Sequence, residues 1–434
     1  MVLVRALVLL IFLSGTASAA VFNPHTTTLD NGLQVIVVEN PRAPVVLHML
    51  WYKTGSADEP AHPAGLAHFL EHMMFKGTTV EPEQDFSAAV SALGGSDNAF
   101  TGYDYTAFFQ KIHPDFLPDV MHMEAERMRG LELSAEDIRI ERDVVMQERA
   151  QTSTATPQDR WREKVSAAFY AQHPYSRPII GWGNAIADFD QTNVRAYYDA
   201  QYAPNNAILI ASGDIKAEAF FNLARDIYGS LPPRHIGPRQ RSGNIATAPG
   251  RLTQVDKDVR QPQLVWMWPA VSARTAAHND ANALQVLAEI MNAPDGLLQK
   301  ELVLEQKAAV GVSISYDESR YDATSFTVST SPTTGHSLDN LERALKAVWP
   351  QALATITEAD LARAKRRLRD SAELARDNIF IPAYAFGLAL TTGSTIEDVE
   401  NWPDRIATVS LADIRRVAAD FEGTPLLAAR LDAR

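Results

Sequence analysis

The amino-acid sequence predicts an α+β protein made of two similar domains. Two observations indicate this class. Short segments with strand-like alternation are interleaved with longer segments of helical periodicity, and turn residues separate them. In addition, segments of the first half recur in the second half at a nearly constant spacing. The chain has 434 residues, of which 46% are hydrophobic and 21% charged, so it is long enough to bury two cores.

Residues 1–19 are predicted to be a secretory signal peptide. Arg5 precedes a short apolar run, and the segment ends in the small residues Ala17-Ser18-Ala19. Because the run is short for a membrane span, we expect cleavage after Ala19, with an uncleaved anchor as the alternative. No other stretch resembles a membrane span. The expected location is therefore outside the cytoplasm, in the periplasm of a Gram-negative bacterium.

Composition narrows the chemistry that the chain can perform. It contains no cysteine, so disulfides and thiolate ligands are excluded, and any metal must be held by His, Asp or Glu. The formal net charge of −13 argues against nucleic acid or anionic lipid as a partner. A neutral or basic peptide is compatible with this charge.

Strands are predicted at the start of the mature chain. Residues 26–39 indicate a hairpin around Asn31-Gly32, and residues 45–53 indicate a further strand that ends at Gly55. His48 alternates onto the less apolar side of this strand, and we expect it to be structural.

The helix predicted after Pro63 and Gly65 carries the most informative motif, His68-x-x-Glu71-His72. At about 100° per residue these three side chains project from one face. Such a string is expected by chance only about 0.03 times in this composition, which argues against the alternative of ordinary core or surface histidines. Two imidazoles one turn apart are typical zinc ligands, and Glu71 is left free to act as a general base.

The segments that follow alternate between helices and strands. A helix over residues 86–93 stops at Gly94-Gly95, two strands lie within residues 96–110 with a break at Gly102, and a helix covers residues 117–129. Ser134 is predicted to cap a longer helix over residues 138–149. Glu141 and Glu148 share one face of that helix, and one of them could complete the metal site, although a solvated charged face explains them equally well at this point.

The second half repeats the first. Residues 186–197 and 207–213 match residues 406–417 and 426–431, and residues 134–138 match residues 357–361. We therefore predict an N-terminal domain over residues 20–232, a Pro/Gly/Arg-rich linker over residues 233–250 and a C-terminal domain over residues 251–434.

The repeat also predicts where the chemistry is absent. The positions of His68, Glu71, His72, Glu141 and Glu148 correspond in the second half to Gln285, Ala288, Glu289, Ala364 and Ser371. The second domain is thus predicted to keep the fold without the metal site. This asymmetry favours metal ligation by Glu148 over a surface charge.

These motifs resemble the insulinase-type family of metallopeptidases, M16, in which the His-x-x-Glu-His order is inverted relative to other zinc peptidases. In that family a Glu about 76 residues beyond the second His lies in a Glu-Arg-x-Val-Val-x-x-Glu context, and here Glu148 lies at that distance from His72 within Glu141-Arg142-Asp143-Val144-Val145-Met146-Gln147-Glu148. The resemblance implies two homologous domains of the LuxS/metallopeptidase-like type, each a mostly antiparallel sheet with helices packed on one face.

The resemblance also implies functional roles. It implies one Zn²⁺ per chain, held by His68, His72 and Glu148, with Glu71 as the base for a zinc-activated water and Glu141 as a supporting acidic residue. An edge strand formed by Asn98, Ala99, Phe100 and Thr101 is expected to bind an extended peptide substrate by strand addition. Hydrolysis would proceed without a covalent acyl-enzyme.

One position pair departs from the family pattern. Complete enzymes of the family carry an Arg and a Tyr seven residues apart, and the corresponding residues here are Val303 and Val310. Arg320-Tyr321 lies nearby with the wrong spacing. The departure implies the zinc-bearing subunit of a heterodimer with a homologous chain that lacks zinc, related to the mitochondrial processing peptidase. The alternatives are a self-sufficient homodimer, or a structural or binding subunit with a vestigial metal site.

Overall fold

The computed structural model describes residues 21–81, 85–239, 241, 250–423 and 425–433. The predicted signal peptide, residues 1–19, lies outside the described residues, and so do residues 240 and 242–249, which are half of the predicted linker. Within the part of the chain that is described, no helix is long and apolar enough to cross a membrane.

The N-terminal half contains six strands and a set of helices around them. The strands are β1 His25–Thr28, β2 Gln34–Glu39, β3 Val46–Tyr52, β4 Ser96–Thr101, β5 Thr106–Ile112 and β6 Ala207–Gly213. The helices are α1 Leu66–Met73, α2 Phe86–Ala92, α3 Leu117–Gly130, α4 Ala135–Thr152, α5 Pro157–Tyr170, α6 Gly183–Ala187, α7 Gln191–Gln201 and α8 Ala217–Tyr228.

The C-terminal half contains five strands and a similar set of helices. The strands are β7 Gly250–Val255, β8 Gln263–Ala270, β9 Ala309–Tyr316, β10 Thr324–Pro332 and β11 Leu427–Asp432. The helices are α9 Asp280–Met291, α10 Leu338–Ala354, α11 Glu358–Ala375, α12 Phe380–Thr391, α13 Ile396–Glu400, α14 Trp402–Thr408 and α15 Leu411–Ala419, and a π-helical segment covers Gln299–Glu305.

Apart from the additional outer strand β1 of the first sheet, the two sheets have the same strand order, which confirms the predicted class of two similar α+β domains. The first sheet is ordered β1-β2-β6-β3-β5-β4 and the second β7-β11-β8-β10-β9. Each contains one parallel pair, β2 with β6 and β7 with β11, and its other pairs are antiparallel. Both hairpin strands around Gly32 and the strand break at Gly102 lie where the sequence predicts them.

One face of each sheet packs against helices of its own half. The first core lies between the sheet and helices that include α1, α3, α7 and α8. The second lies between its sheet and helices that include α9, α10 and α15. This part of the fold agrees with helices packed on one face of each sheet.

The other face of each sheet is covered by a helix from the opposite half, an arrangement that the sequence did not predict. Helix α12 places Ala383 and Phe386 against Trp51 and its neighbours on the first sheet. Helix α5 places Trp161 and Phe169 against the second sheet. Each half therefore contributes one helix to the outer face of the other half's sheet, and each sheet is buried on both faces.

Two arginines of the predicted linker, Arg239 and Arg241, lie between the halves and contact both of them. The guanidinium group of Arg241, whose side chain is 2% exposed, ion-pairs with Asp104, and one of its nitrogens lies 2.5 Å from a carboxylate oxygen of Asp58. It also lies 3.6 Å from Asp322 of the second half. Arg239 donates to the carbonyl oxygens of Asp104 and Thr391. These contacts join the two halves.

Candidate metal centre

Helix α1 starts at a position that only glycine accommodates easily. Gly65 has φ of +105°, and a Cβ there would lie 2.7 Å from the carbonyl oxygen of Ile180. The helix has no side-chain cap of its own at this residue; instead, the buried carboxyl of Glu59 accepts hydrogen bonds from the amides of Gly65 and Ala67, each at 2.6 Å. Glu59 therefore satisfies two of the amides that a helix start leaves without partners.

The apolar side of α1 fixes the orientation of its polar side. Leu66, Phe69, Leu70 and Met73 are at most 2% exposed and belong to the first core. His68, Glu71 and His72 consequently project from the opposite face, as the helical spacing predicts.

Helix α4 brings the third candidate ligand to this face. Ser134 caps the helix by accepting a hydrogen bond from the amide of Asp137, as predicted from the sequence. Glu148 Oε1 lies 3.6 Å from His68 Nε2, and Glu148 Oε2 lies 3.2 Å from His72 Nε2. One ligand atom from each of the three residues lies within 4.8 Å of the others. No other such group of His, Asp or Glu occurs among the described residues.

The donor set fits a zinc ion. Ligands of a tetrahedral zinc lie about 3.4 Å from one another, close to the separations between Glu148 and the two imidazoles. Burial and the neighbouring His72 lower the pKa of His68 to about 4, so that His68 is a neutral donor at pH 7. The Nδ1 atom of His68 is buried without a hydrogen-bond partner among the described residues. The protein alone therefore does not satisfy this imidazole.

Glu141 lies directly behind His72. Its Oε1 atom is 2.8 Å from Nδ1 of His72, and its Oε2 atom is 2.7 Å from Nζ of Lys76. Burial would raise the pKa of Glu141, but the hydrogen bonds of His72 and Lys76 lower it to about 2. A carboxylate on Nδ1 holds the proton there and leaves Nε2 directed toward Glu148.

The electrostatics of the site favour a bound cation. Burial alone would lower the pKa of His72, but Glu141 and Glu148 together raise it to about 9. Two carboxylates beside two imidazoles thus stabilise a positive charge in the site, which either a proton or a metal ion can supply.

Glu71 occupies the same face without being part of the ligand cluster. Burial raises the pKa of Glu71 to about 7, even though a hydrogen bond from the hydroxyl of Thr101 lowers it. A carboxyl with a pKa near neutrality can both accept and donate a proton at pH 7, which is the property that a general base requires.

Strand β4 is one of the two edge strands of the first sheet, as expected for the predicted substrate strand. Its side chains alternate. Ala99 packs against the first core, and Thr101 donates its hydrogen bond to Glu71, whereas Phe100 packs on the opposite face with ring centroids 5.2 Å from Trp51 and 5.7 Å from Tyr384. Asn98 is exposed. Of the four predicted substrate-binding side chains, Thr101 is therefore the one in contact with the candidate site.

Two site features escaped the sequence analysis. No sequence motif links Lys76 to Glu141, although Lys76 follows His72 by four residues and so lies on the same side as that histidine. Glu59 precedes α1 by seven residues and could be recognised only as an acidic residue upstream of a helix that lacks a Ser, Thr, Asp or Asn cap.

The corresponding positions in the second half are occupied by ordinary structural contacts. Gln285 accepts a hydrogen bond from the indole of Trp402 at 2.8 Å, and Glu289 is paired with Arg367. Ala364 is buried, and the hydroxyl of Ser371 donates to the carbonyl of Arg367 at 2.9 Å. Ala288 lies in the second core.

The residues predicted at the positions of the family's Arg and Tyr offer no side-chain donor. Val303 packs against the second core, and Val310 is 62% exposed on strand β9. Arg320 and Tyr321 are engaged between the halves: Arg320 packs on the ring of Tyr103, and Tyr321 packs beneath Arg239.

Known proteins share both the sequence pattern and the fold. Residues 34–183 match the family description "Insulinase (Peptidase family M16)", and residues 188–368 match "Peptidase M16 inactive domain". An uncharacterised zinc protease of Mycobacterium tuberculosis is 32% identical over 246 residues, which is 56% of this chain and 56% of the relative. The zinc protease PqqE of Helicobacter pylori is 29% identical over 315 residues, or 70% of this chain and 69% of that protein. The chain thus spans only about half the length of some of the curated relatives that it matches.

A solved structure has the same fold over almost the entire chain. A protease from Helicobacter pylori superimposes with a TM-score of 0.85 at 22% identity, covering 96% of this chain and 100% of the other. The fold and the His/His/Glu cluster among the described residues define the class, a two-domain protein with a metallopeptidase fold. The chain belongs to the insulinase family of peptidases, M16, with the family's first domain followed by its inactive domain.

Proposed function

We propose that this chain is a zinc-dependent endopeptidase. The observation that carries the proposal is the convergence of His68, His72 and Glu148, whose ligand atoms lie within 4.8 Å of one another, beside a carboxyl that is not needed as a ligand. The names of the curated relatives, which are zinc proteases, support the same metal and reaction class. We infer one zinc ion per chain, because the described part of the second half lacks a comparable cluster.

The roles of the side chains follow from their positions. His68, His72 and Glu148 would hold the ion, and Glu141 would orient His72 through its Nδ1 proton. When bound, zinc acidifies a water molecule and polarises a peptide carbonyl. Glu71 would take the proton from the water at its carboxylate and return it to the leaving amine. With no cysteine in the chain, a thiol nucleophile is excluded.

The free edge of β4 supports a peptide as the substrate. An extended peptide could add to the sheet as a further strand, held by backbone hydrogen bonds to residues 98–101. Thr101 connects this edge to the base Glu71, so a peptide added to β4 would pass the proposed metal site. Backbone pairing of this kind selects extended chains over folded proteins.

We further propose that the active form contains two homologous chains. Pitrilysin superimposes with a TM-score of 0.78 at 18% identity, and the matched region is 97% of this chain but only 46% of that one. A second, zinc-free chain would supply the arginine and tyrosine that Val303 and Val310 replace.

We propose a periplasmic location from the predicted signal peptide and from the fold shared with the periplasmic protease PqqL of Escherichia coli. The first half of that protease superimposes with a TM-score of 0.77 at 19% identity, covering 96% of this chain and 93% of that one.

The substitution Glu71→Gln tests the catalytic assignment. We expect the variant to keep one zinc per chain, measured by elemental analysis, and to lose peptide cleavage by about 100-fold or more, because the amide cannot accept the proton. Loss of zinc from the variant would instead make Glu71 a ligand and contradict the assignment.

The assembly is tested by measuring cleavage of an unstructured peptide with the chain alone and with a zinc-free homologue. We expect cleavage to need the mixture. Equal activity of the chain alone contradicts the heterodimer and supports a homodimer. A protein that holds no zinc and cleaves nothing in either state supports a structural subunit.

A further inference from the structure

Lys76 lies at the end of a short chain of polar contacts that leads to the proposed metal site. Its ammonium group is 2.7 Å from Oε2 of Glu141, and the other oxygen of the same carboxylate is 2.8 Å from Nδ1 of His72. The side chain of Glu141 is 8% exposed, whereas that of Lys76 is 36% exposed. The carboxylate is thus held at both oxygens, one toward the metal ligand and one toward solvent.

This arrangement is set by two elements. His72 lies in the last turn of α1, and Lys76 follows four residues later, where its backbone amide still bonds to the carbonyl of Met73 at 3.0 Å. Glu141 comes from α4, the helix that also carries Glu148. Lys76 therefore joins the end of α1 to the helix that supplies the third proposed ligand.

Among the described residues, Lys76 provides the only Lys or Arg contact of the Glu141 carboxylate. The nearby arginines of α4 are used elsewhere. Arg142 donates to the carbonyl oxygens of Ala187 and Phe189, and Arg139 pairs with Glu136. Within the described part of the chain, neither of these two guanidinium groups contacts Glu141.

We propose that Lys76 is a positioning residue for the metal site, which acts by fixing the Glu141 carboxylate so that it presents one oxygen to His72 Nδ1. A carboxylate held at one oxygen only can rotate about its terminal torsion, and the imidazole that it supports then loses its fixed orientation. Partners behind a metal-ligating histidine typically change metal affinity by about 10- to 100-fold when they are removed. The inference rests on the proposed zinc site, but it does not require peptidase activity.

The test measures zinc affinity by competition with a chromophoric chelator, separately from peptide cleavage. Lys76→Met keeps the aliphatic stem and removes the charge, and we expect zinc affinity to fall by about 10- to 100-fold. Lys76→Arg should restore most of it. Lys216→Met is the matched control, because it removes a Lys–Glu pair of similar length, 2.8 Å to Glu39, at an exposed site just before helix α8.

A double-mutant cycle shows whether Lys76 acts through Glu141. In a Glu141→Gln background, Lys76→Met should cost little further affinity, because the carboxylate that it fixes is already gone. The same loss in both backgrounds, or no loss in either, overturns the inference. Wild-type protein that binds zinc but cleaves no peptide contradicts the proposed function alone, and wild-type protein that binds no zinc contradicts both.

Discussion

Two histidines of the first half, the buried His48 and His68, whose side chain is 14% exposed, show how surroundings decide the role of a residue. Burial lowers the pKa of both His48 and His68. The ring of His48 has a partner at each nitrogen, Gln110 at 2.7 Å and the hydroxyl of Tyr228 at 3.2 Å. The ring of His68 lacks a hydrogen-bond partner at Nδ1 and faces Glu148 with Nε2. His48 is therefore satisfied by the protein itself, whereas His68 has capacity left for an ion.

His48 makes the stability of the protein depend on pH. Gln110 donates through its amide nitrogen to Glu124, so its oxygen faces His48 and accepts the Nδ1 proton of the neutral ring. In the unfolded chain this imidazole binds a proton with an ordinary pKa of about 6.5. In the native state burial lowers the pKa, so the ring stays neutral to lower pH. The free energy of unfolding should therefore fall as pH drops below about 6.5, by up to about 1.4 kcal/mol per pH unit from this residue.

The variant His48→Gln isolates this contribution in urea denaturation between pH 5 and 8. Its free energy of unfolding should depend less steeply on pH below about 6.5 than that of the wild type. His336→Gln, at an exposed histidine, should keep the wild-type slope. Identical slopes for all three proteins would mean that His48 is protonated in the native state.

At the scale of elements, the packing of α12 explains why this helix has no polar face. Its sequence, Phe380-Ile381-Pro382-Ala383-Tyr384-Ala385-Phe386-Gly387-Leu388-Ala389-Leu390-Thr391, contains no charged residue. A helix that is apolar on all sides is expected to be buried on more than one side. Helix α12 packs on the first sheet and also lines a cavity of the second half through Tyr384 and Leu388.

Gly387 sets the distance between α12 and the first sheet. A Cβ at this position would lie 2.0 Å from Cε2 of Trp51, which is fully buried and surrounded by the rings of Phe100, Tyr105 and Tyr384. Because that indole cannot move away, Gly387→Ala should lower the free energy of unfolding by about 1–3 kcal/mol, despite the better helix propensity of alanine.

Gly183→Ala is the matched control for this prediction, since the nearest neighbour of its added Cβ is Met146 Cε at 3.7 Å. We expect a change within about 0.5 kcal/mol there, measured by urea denaturation. A Gly387→Ala protein as stable as the wild type would show that α12 packs less closely on Trp51.

At the scale of the whole molecule, the sequence was sufficient for features that depend on local pattern. The motif on α1, the Ser134 cap of α4 and the repeat of the two halves could all be predicted, because helical spacing and capping act over a few residues. The equivalence of His68 and Gln285 rests on the repeat alone and stays a prediction. The assignment of Glu148 needed the spacing known from the family.

Features that depend on contacts between distant residues could not be predicted. The pairing of Trp51 with Gly387 and that of Arg241 with Asp58 join residues far apart in the sequence, and neither leaves a periodic signal. Lys76 was missed for a related reason, since its partner Glu141 lies on another helix. Burial of a charged group in particular has no local signature, because its neutralising partner can come from any part of the chain.

Arg241 provides the test of how strongly the two halves are joined. Its guanidinium group lies among Asp58, Asp104 and Asp322, whose side chains are at most 8% exposed. Removing one partner of a buried ion pair leaves an uncompensated charge, so Arg241→Met should lower the free energy of unfolding by about 3–5 kcal/mol. Arg239 remains near Asp58, at 3.4 Å, but its hydrogen bonds go to the backbone carbonyls of Asp104 and Thr391.

Urea denaturation with separate probes in each half distinguishes the possible results. Because Asp58 and Asp104 belong to the first half and Asp322 to the second, both halves of the variant should unfold at lower denaturant than in the wild type. Arg162→Met, whose side chain is 70% exposed, should change stability by less than about 1 kcal/mol. If Arg241→Met destabilises neither half, the three aspartates must be neutralised by other groups, and the linker then contributes little to holding the two domains together.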